Sequence, residues 1–339
     1  MVRMGEFELL ARIRERLPAS GARTHLGSGD DAAVTVPGGA TATSVDALVD
    51  GVHFRRDLAS PAQIGHKALA TALSDLAAMG AEAGEAYVAL GLPPDFGEEE
   101  CLELLDGMSA LATATGIDLA GGDLSRAKEL FLAITVVGHA SDPRALVQRA
   151  GAQPGDALVL TGEIGGAAAG LELLKSRDPE SDFAFKGHIG HLKAKSAMQA
   201  LVERQLEPQP RLLAGQALAH AGATAMIDVS DGLGADAGHL AQASGVKIEI
   251  EAEAVPLAPA AVALSQTTGR DPWWLLSGGE DYELLACIPP TLLEQATVEV
   301  LDKGGVSLTQ VGEVRTGSRV EIRLPGGELL EPKGFDQLA

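Results

Sequence analysis

Two adjacent carboxylates, Asp30 and Asp31, stand in the stretch His25-Leu26-Gly27-Ser28-Gly29-Asp30-Asp31-Ala32-Ala33-Val34, just before an apolar run with strand character. Neighbouring aspartates repel, so a fold that holds both at a strand start compensates them with a cation or with water. Taken alone, Gly-Asp-Asp also suits a solvated turn, because glycine and aspartate are ordinary turn residues. Recurrence changes the balance. Aspartate returns among small residues in Ser44-Val45-Asp46, Ser74-Asp75, Gly121-Gly122-Asp123 and Asp228-Val229-Ser230-Asp231, and an acidic pair returns in Gly278-Gly279-Glu280-Asp281. Most of these lie at the edge of an apolar run, where strand and helix ends can converge. Scattered single aspartates suit Mg²⁺, which takes one or two carboxylates together with phosphate oxygens. The pattern points to a multi-cation site for a polyphosphate.

Composition narrows what such a site can serve. At 339 residues the chain is long for one core, and two domains are expected. Aromatic residues are only 3% against 46% hydrophobic, so the cores must be built from Ala, Val, Leu and Ile. With 26 Lys and Arg against 47 Asp and Glu, the net charge is −21. That surface repels nucleic acid and anionic membranes, so neither is an expected partner. An anionic substrate must instead be captured locally, by divalent cations and backbone N–H groups. Cys101 and Cys287 lie far apart without a CxxC pair, which argues against a zinc or disulfide framework and for a reducing cytoplasm. The N-terminus moves straight into a charged helical pattern, and no apolar run reaches transmembrane length. A cytoplasmic protein is expected.

The elements that must position these residues follow from periodicity. Phe7, Leu10, Ile13 and Leu17 recur at helical spacing over 5–17, and Pro18 ends that helix. Short strands at 32–36 and 41–45 flank Pro37-Gly38-Gly39 and read as a hairpin; the second delivers Asp46. A long Ala-rich helix over 61–81, opened by Pro61, carries Lys67, Thr71 and Asp75 on one broad face. A strand at 86–92, a helix at 97–115, a strand at 117–120 ending in Gly121-Gly122-Asp123, and a strand at 130–137 complete a mixed α/β half. The Gly- and Pro-rich turn over 150–156 marks the domain boundary, giving domains of 1–148 and 149–339. In the second half, a strand at 157–160 enters Thr161-Gly162-Glu163-Ile164-Gly165-Gly166, a faint echo of a dinucleotide loop whose GxxGG spacing also suits tight helix–strand packing. Residues 176–192 read as a mobile surface segment, and 247–251, with alternating charge, as a strand near a sheet edge. Strands at 225–229 and from 284 bracket the last acidic motifs.

The series Gly29-Asp30-Asp31-Ala32-Ala33, Asp46…Asp50-Gly51-Val52-His53-Phe54, Leu73-Ser74-Asp75-Leu76-Ala77-Ala78-Met79-Gly80-Ala81, Gly121-Gly122-Asp123, Asp228-Val229-Ser230-Asp231-Gly232-Leu233 and Ser277-Gly278-Gly279-Glu280-Asp281-Tyr282-Glu283-Leu284 resembles the thiamine-monophosphate kinase family, in order and spacing over nearly the whole chain, as far as Pro332-Lys333-Gly334-Phe335. The resemblance implies transfer of the γ-phosphoryl group of ATP to thiamine monophosphate, assisted by several Mg²⁺ ions. It implies a two-domain PurM-like fold, shared with aminoimidazole ribonucleotide synthetase, in which the N-terminal mixed sheets of two subunits pair into a barrel, making a homodimer. The C-terminal α/β sandwich then completes the nucleotide cleft. By the same resemblance, Asp31, Asp46, Asp75, Asp123, Asp228 and Asp231 are magnesium carboxylates, with Ser44 a further metal contact and Asp30 an auxiliary ligand or a residue that holds the turn. Gly122, Asp123, Arg149 and Ser230 are implied nucleotide contacts, and His53, Glu280 and Phe335 contacts to the thiamine moiety. Val45 departs from the family pattern, which often has threonine there; a ligating hydroxyl would be lost and a carbonyl ligand kept.

Other readings stay open at this level. His53 also reads as a satisfied structural histidine, Lys67 as a surface lysine, and Trp273-Trp274 as local packing. Among relatives, selenophosphate synthetase and the hydrogenase maturation factor rely on a reactive cysteine that this chain lacks at the matching places. An aminoimidazole ribonucleotide synthetase-like ligase remains the alternative enzyme. A non-enzymatic acidic cation-binding protein would instead spread its carboxylates in solvated charge runs.

Overall fold

The computed structural model describes residues 6–17, 21–28, 32–176 and 191–335; Gly29, Asp30 and Asp31 and most of the segment expected to be mobile lie outside them. The chain divides into two compact units, one of residues 1–76 and 81–145, the other of 77–80 and 146–339.

The first unit opens with α1 (Glu6–Arg16) and a two-stranded ribbon, β1 (Thr24–Leu26) with β2 (Val34–Thr35). Then follow β3 (Ala40–Val49), α2 (Pro61–Ala78), β4 (Glu82–Leu92), α3 (Glu98–Thr115), β5 (Asp118–Arg126) and β6 (Phe131–Ala140). Four strands form one mixed sheet in the order β3-β6-β4-β5, antiparallel except for the β4/β5 pair. The β3 strand alternates, with Leu48 buried and Val45 64% exposed. Leu69, Leu73 and Leu76 of α2, Met108 and Leu111 of α3, and Leu132, Ile134 and Val136 of β6 are buried, as the aromatic-poor composition requires.

Two sequence expectations fail here. The strands either side of Pro37-Gly38-Gly39 do not pair with each other. Instead Val34 and Thr35 pair back onto β1, while β3 runs against β6 for ten residues. A ladder of that length offers more backbone hydrogen bonds and cross-strand contacts than a five-residue hairpin. The strand expected to stop before Gly121 continues through Gly121-Gly122-Asp123 to Arg126. Glycine does not end it because β4 lies so close that a Cβ at Gly122 would collide with the Val88 carbonyl oxygen.

The second unit contains β7 (Ala157–Thr161), α4 (Gly166–Lys175), α5 (His191–Leu206), α6 (Leu212–Ala221), β8 (Ala225–Asp228), α7 (Leu233–Ser244), β9 (Lys247–Glu251), α8 (Pro259–Thr268), β10 (Leu284–Ile288), α9 (Leu293–Glu299), β11 (Leu308–Arg315), β12 (Val320–Arg323) and β13 (Leu329–Leu330). Its seven strands take the order β13-β12-β9-β11-β7-β10-β8. The wholly buried strands β7, β8 and β10 form its middle and one flank, and α7 buries Leu233, Ala237 and Leu240 in the same core. A second cluster joins Leu173 of α4, Leu201 of α5 and Leu264 of α8. Trp273 packs on the first cluster and Trp274 on the second, where Trp274 Nε1 donates to Ser265 Oγ at 3.0 Å. β9 is not at an edge: β11 and β12 pair with it on both sides. Its alternating charge marks the polar face of the sheet, where Lys247 Nζ pairs with Glu249 (2.5 Å) and Glu321 (2.8 Å).

Candidate active site

In the first unit, alternation along β3 puts Ser44 and Asp46 on the more protected face and Val45 on the open one. Asp75 projects from α2 toward this face, and Ser44 Oγ donates to Asp75 Oδ2. Asp46 carries the electrostatic signature of the meeting: burial first, and then the charge of Asp75, push its carboxyl up to about 6. Lys67, on the same helix as Asp75, is buried at 3% exposure, so it is no surface lysine. Thr71, the residue between them at helical spacing, donates its hydroxyl to the Lys67 carbonyl (2.6 Å). Val45, the departure from the family pattern, points away from Asp46, so any hydroxyl there would face the open side of the sheet.

Asp123 is placed differently. Cα partners run Asp46–Ile134–Val88–Gly122 across the sheet, so Asp123 falls in the next row, with Ala89, Ala133 and Ala47, on the opposite face. It lies on the other edge strand, roughly 14 Å from β3 at ordinary strand spacing. Ser125 Oγ donates to its Oδ2 at 2.9 Å. Within this unit Asp46 and Asp75 meet and Asp123 stands apart. Asp30 and Asp31 lie outside the described residues. His53 closes a turn: the Val49 N–H donates to its Nδ1 (3.1 Å) and its own N–H donates to the Val49 carbonyl (3.0 Å). Accepting at Nδ1 fixes a neutral ring with its proton on Nε2. A cleft of about 420 Å³ follows in the same segment, lined by Asp50, Arg56, Asp57, Ile64, Phe96 and other residues, where Arg56 stacks on Phe96 at 5.2 Å.

In the second unit three motifs meet. Asp228 ends β8, buried at 4% exposure, and the chain turns through Ser230, Asp231 and Gly232 into α7. The Gly279-Glu280-Asp281-Tyr282 segment lies directly on that turn. The Glu280 N–H donates to the Ser230 carbonyl (2.8 Å), Tyr282 N–H to Val229 (2.9 Å), and Val229 N–H to Glu283 (2.7 Å). A side chain at Gly279 would collide with the Ser230 carbonyl, so only glycine allows this approach. Phe335 joins from the far end of the chain, its N–H donating to the Asp231 carbonyl at 3.0 Å, with its ring 55% exposed. Asp228, Ser230, Asp231, Glu280 and Phe335 therefore form one group. Arg149 is exposed and lies toward the start of β8, where Gln148 accepts from Met226 (3.0 Å) and Ser244 Oγ donates to the Arg149 carbonyl (3.0 Å).

The group is held by carboxylates outside the set of expected ligand and contact residues. Asp236 Oδ2 accepts the N–H groups of Ser230, Asp231 and Gly232 at 3.1, 3.1 and 3.0 Å. Burial, with the charges of Asp228 and Asp231 added, raises its carboxyl to about 8. The signal for it was an aspartate in the first turn of a glycine-led helix, a place where a carboxylate caps free N–H groups. Glu280 and Tyr282 adopt left-handed backbone, φ 67° and 51°. Such conformations cost on the order of 1–2 kcal/mol each in a residue with a Cβ, and they persist only where the surroundings over-determine them. Asp281 and Glu283 supply that determination. Asp281, wholly buried and pushed up to about 6 by burial, accepts from Gly165 N–H (2.6 Å) and Ala167 N–H (3.1 Å). Those are the N-terminal donors of α4, so the loop that echoed a dinucleotide fingerprint has its helix end filled by a side chain of the protein itself. Glu283 binds Arg211, Arg204 and Thr161.

Comparison with known proteins matches this chain over most of its length. Residues 29–140 match the model of the AIR synthase related protein, N-terminal domain, and residues 153–325 that of its C-terminal domain. The thiamine-monophosphate kinase of Mycobacterium tuberculosis is 39% identical over 320 residues, covering 93% of this chain and 90% of its own. The crystal structure of thiamine-monophosphate kinase from Stenotrophomonas maltophilia superposes with a TM-score of 0.80 at 34% identity, covering 96% of this chain and 98% of its own. The complex of AaThiL with AMPPCP and TMP gives a TM-score of 0.75 at 30% identity, over 98% of both chains. Sequence likeness and superposition thus agree over nearly the full length, and the chain belongs to the thiamine-monophosphate kinase family of AIR synthase related proteins.

Proposed function

We propose that this chain transfers the γ-phosphoryl group of ATP to thiamine monophosphate, giving thiamine diphosphate and ADP. The observation that carries the reading is the likeness to AaThiL, a matching fold over nearly all of both chains, solved with AMPPCP and TMP. The acceptor is a phosphate already ionised near neutral pH, so its oxygen attacks the γ-phosphorus directly, the bond to the ADP oxygen breaks, and no strong general base is needed. His53, neutral with Nδ1 engaged in its own turn, fits a binding role.

The donor set is all oxygen, which suits Mg²⁺, and the carboxyl of Asp46 is raised first by burial and then by the charge of Asp75 beside it. Asp46, Asp75 and Ser44, with Asp123, Asp228, Asp231, Asp30 and Asp31, are the proposed magnesium ligands. Bound there, Mg²⁺ would neutralise charge on the triphosphate and on the acceptor phosphate. Gly122, Asp123, Arg149 and Ser230 are proposed to meet ATP; Gly122 lies on an edge strand whose bare backbone admits close approach. Glu280 and Phe335 are proposed, with His53, to hold the thiamine moiety, a carboxylate and an exposed ring suiting a cationic heterocycle. The proposed domains are 1–148, for nucleotide binding and dimerisation, and 149–339, for the rest of the cleft.

A homodimer through the open face of the four-stranded sheet is part of the proposal. That face exposes Val45, β3 and β5 are both edge strands, and Val34 (45%) and Val36 (63%) stand exposed on and beside the β1/β2 ribbon. Sedimentation at twice the 34.8 kDa chain mass is expected; a single-chain mass at micromolar concentration would refute it. Among the described residues no helix is long and apolar enough to cross a membrane, in keeping with the proposed cytoplasmic location.

The activity is tested by coupled ADP release with ATP and Mg²⁺. ADP is expected with thiamine monophosphate, with thiamine diphosphate as co-product, and none with thiamine. Turnover with an aminoimidazole precursor in place of thiamine monophosphate would move the chain to the ligase reading, and silence with every acceptor would remove the enzyme reading.

A further inference from the structure

We infer that Gln205, in the last turn of α5, is a positioning residue that sets the affinity for the cationic acceptor by fixing the carboxylate of Glu280. The inference rests on the proposed role of Glu280 in holding the thiamine moiety.

Gln205 is 4% exposed, and its Nε2 donates to Glu280 Oε2 at 2.5 Å. The amide can face the carboxylate in one way only, because the reversed group would set two acceptors together. That orientation leaves Gln205 Oε1 buried with no hydrogen-bond partner among the described residues. A buried carbonyl without a donor destabilises the fold, and a leucine or methionine would fill the space without that penalty. The site is crowded: a Cβ at Gly170 of α4 would meet Gln205 Cβ at 3.1 Å, so the helices approach closely here.

The other partner is unusual too. Glu280 stands in left-handed backbone, pinned to Ser230, in the same turn as left-handed Tyr282. Two unfavourable features, an orphaned amide oxygen and a strained turn, converge on one carboxylate. Local rules of this kind are broken where function requires it. An N–H donor aimed at Oε2 holds the carboxylate in one rotamer, so Glu280 meets a positively charged ring without first losing side-chain freedom. The contact joins the side chains of Gln205 and Glu280 only, and Glu280 meets the proposed nucleotide residue Ser230 through its backbone N–H alone, so the effect of the side-chain contact falls on the acceptor.

The test is a double-mutant cycle on the full chain, with Gln205→Leu, Glu280→Gln and the two together, read as KM for thiamine monophosphate, KM for ATP and melting temperature. Gln205→Leu is expected to raise the KM for thiamine monophosphate on the order of tenfold, with the KM for ATP within twofold. It is expected to melt no lower than the parent protein, because the orphaned oxygen is gone. The double variant is expected to be no worse than Glu280→Gln alone. Equal rises in both KM values, multiplicative effects in the double variant, or a lowered melting temperature would overturn the inference in favour of a packing role. If Glu280→Gln leaves the acceptor KM unmoved, the proposed role of Glu280 falls, and this inference with it. If Glu280→Gln moves it and Gln205→Leu does not, only Gln205 is refuted. Gln205→Met, run in parallel, supplies the same readings should the leucine variant fail to fold.

Discussion

Asp46→Asn and Asp75→Asn are each expected to lower kcat by about a hundredfold or more at saturating Mg²⁺, while the fold survives. Either change leaves a near-isosteric amide where a carboxylate stood, so the lost quantity is charge at the β3/α2 junction. The stability readout has the opposite sign. In chelator, the Asp46 carboxyl is raised to about 6 from 3.8 by burial and by Asp75. The folded state therefore binds a proton at this position more tightly than the unfolded chain. The stability that this proton confers is complete below pH 4 and is lost as pH rises through about 6. Asp46→Asn has no such loss. Its melting temperature should accordingly gain on the parent protein between pH 4 and 7, with an upper limit of about 3 kcal/mol set by the size of the shift. Solvent reaching the half-buried carboxylate reduces that figure. A variant that is inactive and also melts well below the parent at pH 7 would show that Asp46 holds the fold together. Near-parental turnover would remove it from the phosphate site.

The carboxylates of this chain are of two kinds, and the sequence does not separate them. Asp236, Asp281 and Glu283 are consumed inside the protein, accepting backbone N–H groups or the partly buried guanidinium groups of Arg211 and Arg204. Asp46 and Asp75 instead stand close enough for one charge to raise the other's carboxyl, and Glu280 sits in left-handed backbone. Periodicity was enough to place Lys67, Thr71 and Asp75 on one face of α2, and the apolar runs located the strands that carry Asp46 and Asp228. It could not show that β2 turns back to β1, because pairing partners are decided by ladders formed a hundred residues apart. Nor could it show that Asp123 belongs to the opposite edge and face of the sheet from Asp46, since both simply follow small residues in strand-like runs. Arg204, Arg211 and Gln205 were invisible for the same reason. Each acts on the 280–283 turn across more than seventy residues, and no local pattern marks a helix residue that will meet a distant loop. Asp236 was within reach, because a first-turn aspartate after Ser-Asp-Gly is a local cap signal that repeated aspartates elsewhere obscured.

Glu283→Ala is expected to be the most destabilising single change in the second unit. The carboxylate is fully buried and receives Nε and Nη2 of Arg211 at 2.8 and 2.6 Å, Nη2 of Arg204 at 3.3 Å and the Thr161 hydroxyl at 2.7 Å. The Arg211 contact is bidentate, the stronger form of such a pair. Thr161 Oγ1 in turn accepts the Leu284 N–H at 2.8 Å, which ties the network into the start of β10. Deleting one partner of a buried ion pair leaves the other charge uncompensated, at about 3–5 kcal/mol. For a unit of this size that corresponds to a fall in melting temperature on the order of 10 °C. Arg204→Met should be far milder, because Arg211 still neutralises Glu283 and the Arg204 side chain is 29% exposed. The two arginines therefore predict an ordered series, with Glu283→Ala worst, Arg211→Met intermediate and Arg204→Met least. Function should follow the same order through the KM for thiamine monophosphate. The left-handed pair Glu280 and Tyr282 relaxes toward ordinary backbone once Glu283 no longer anchors the turn. Melting of Glu283→Ala within about 2 °C of the parent protein would mean that the buried network carries no net stability. The strain at Glu280 would then have to be sustained by Asp281 and the Ser230 carbonyl alone.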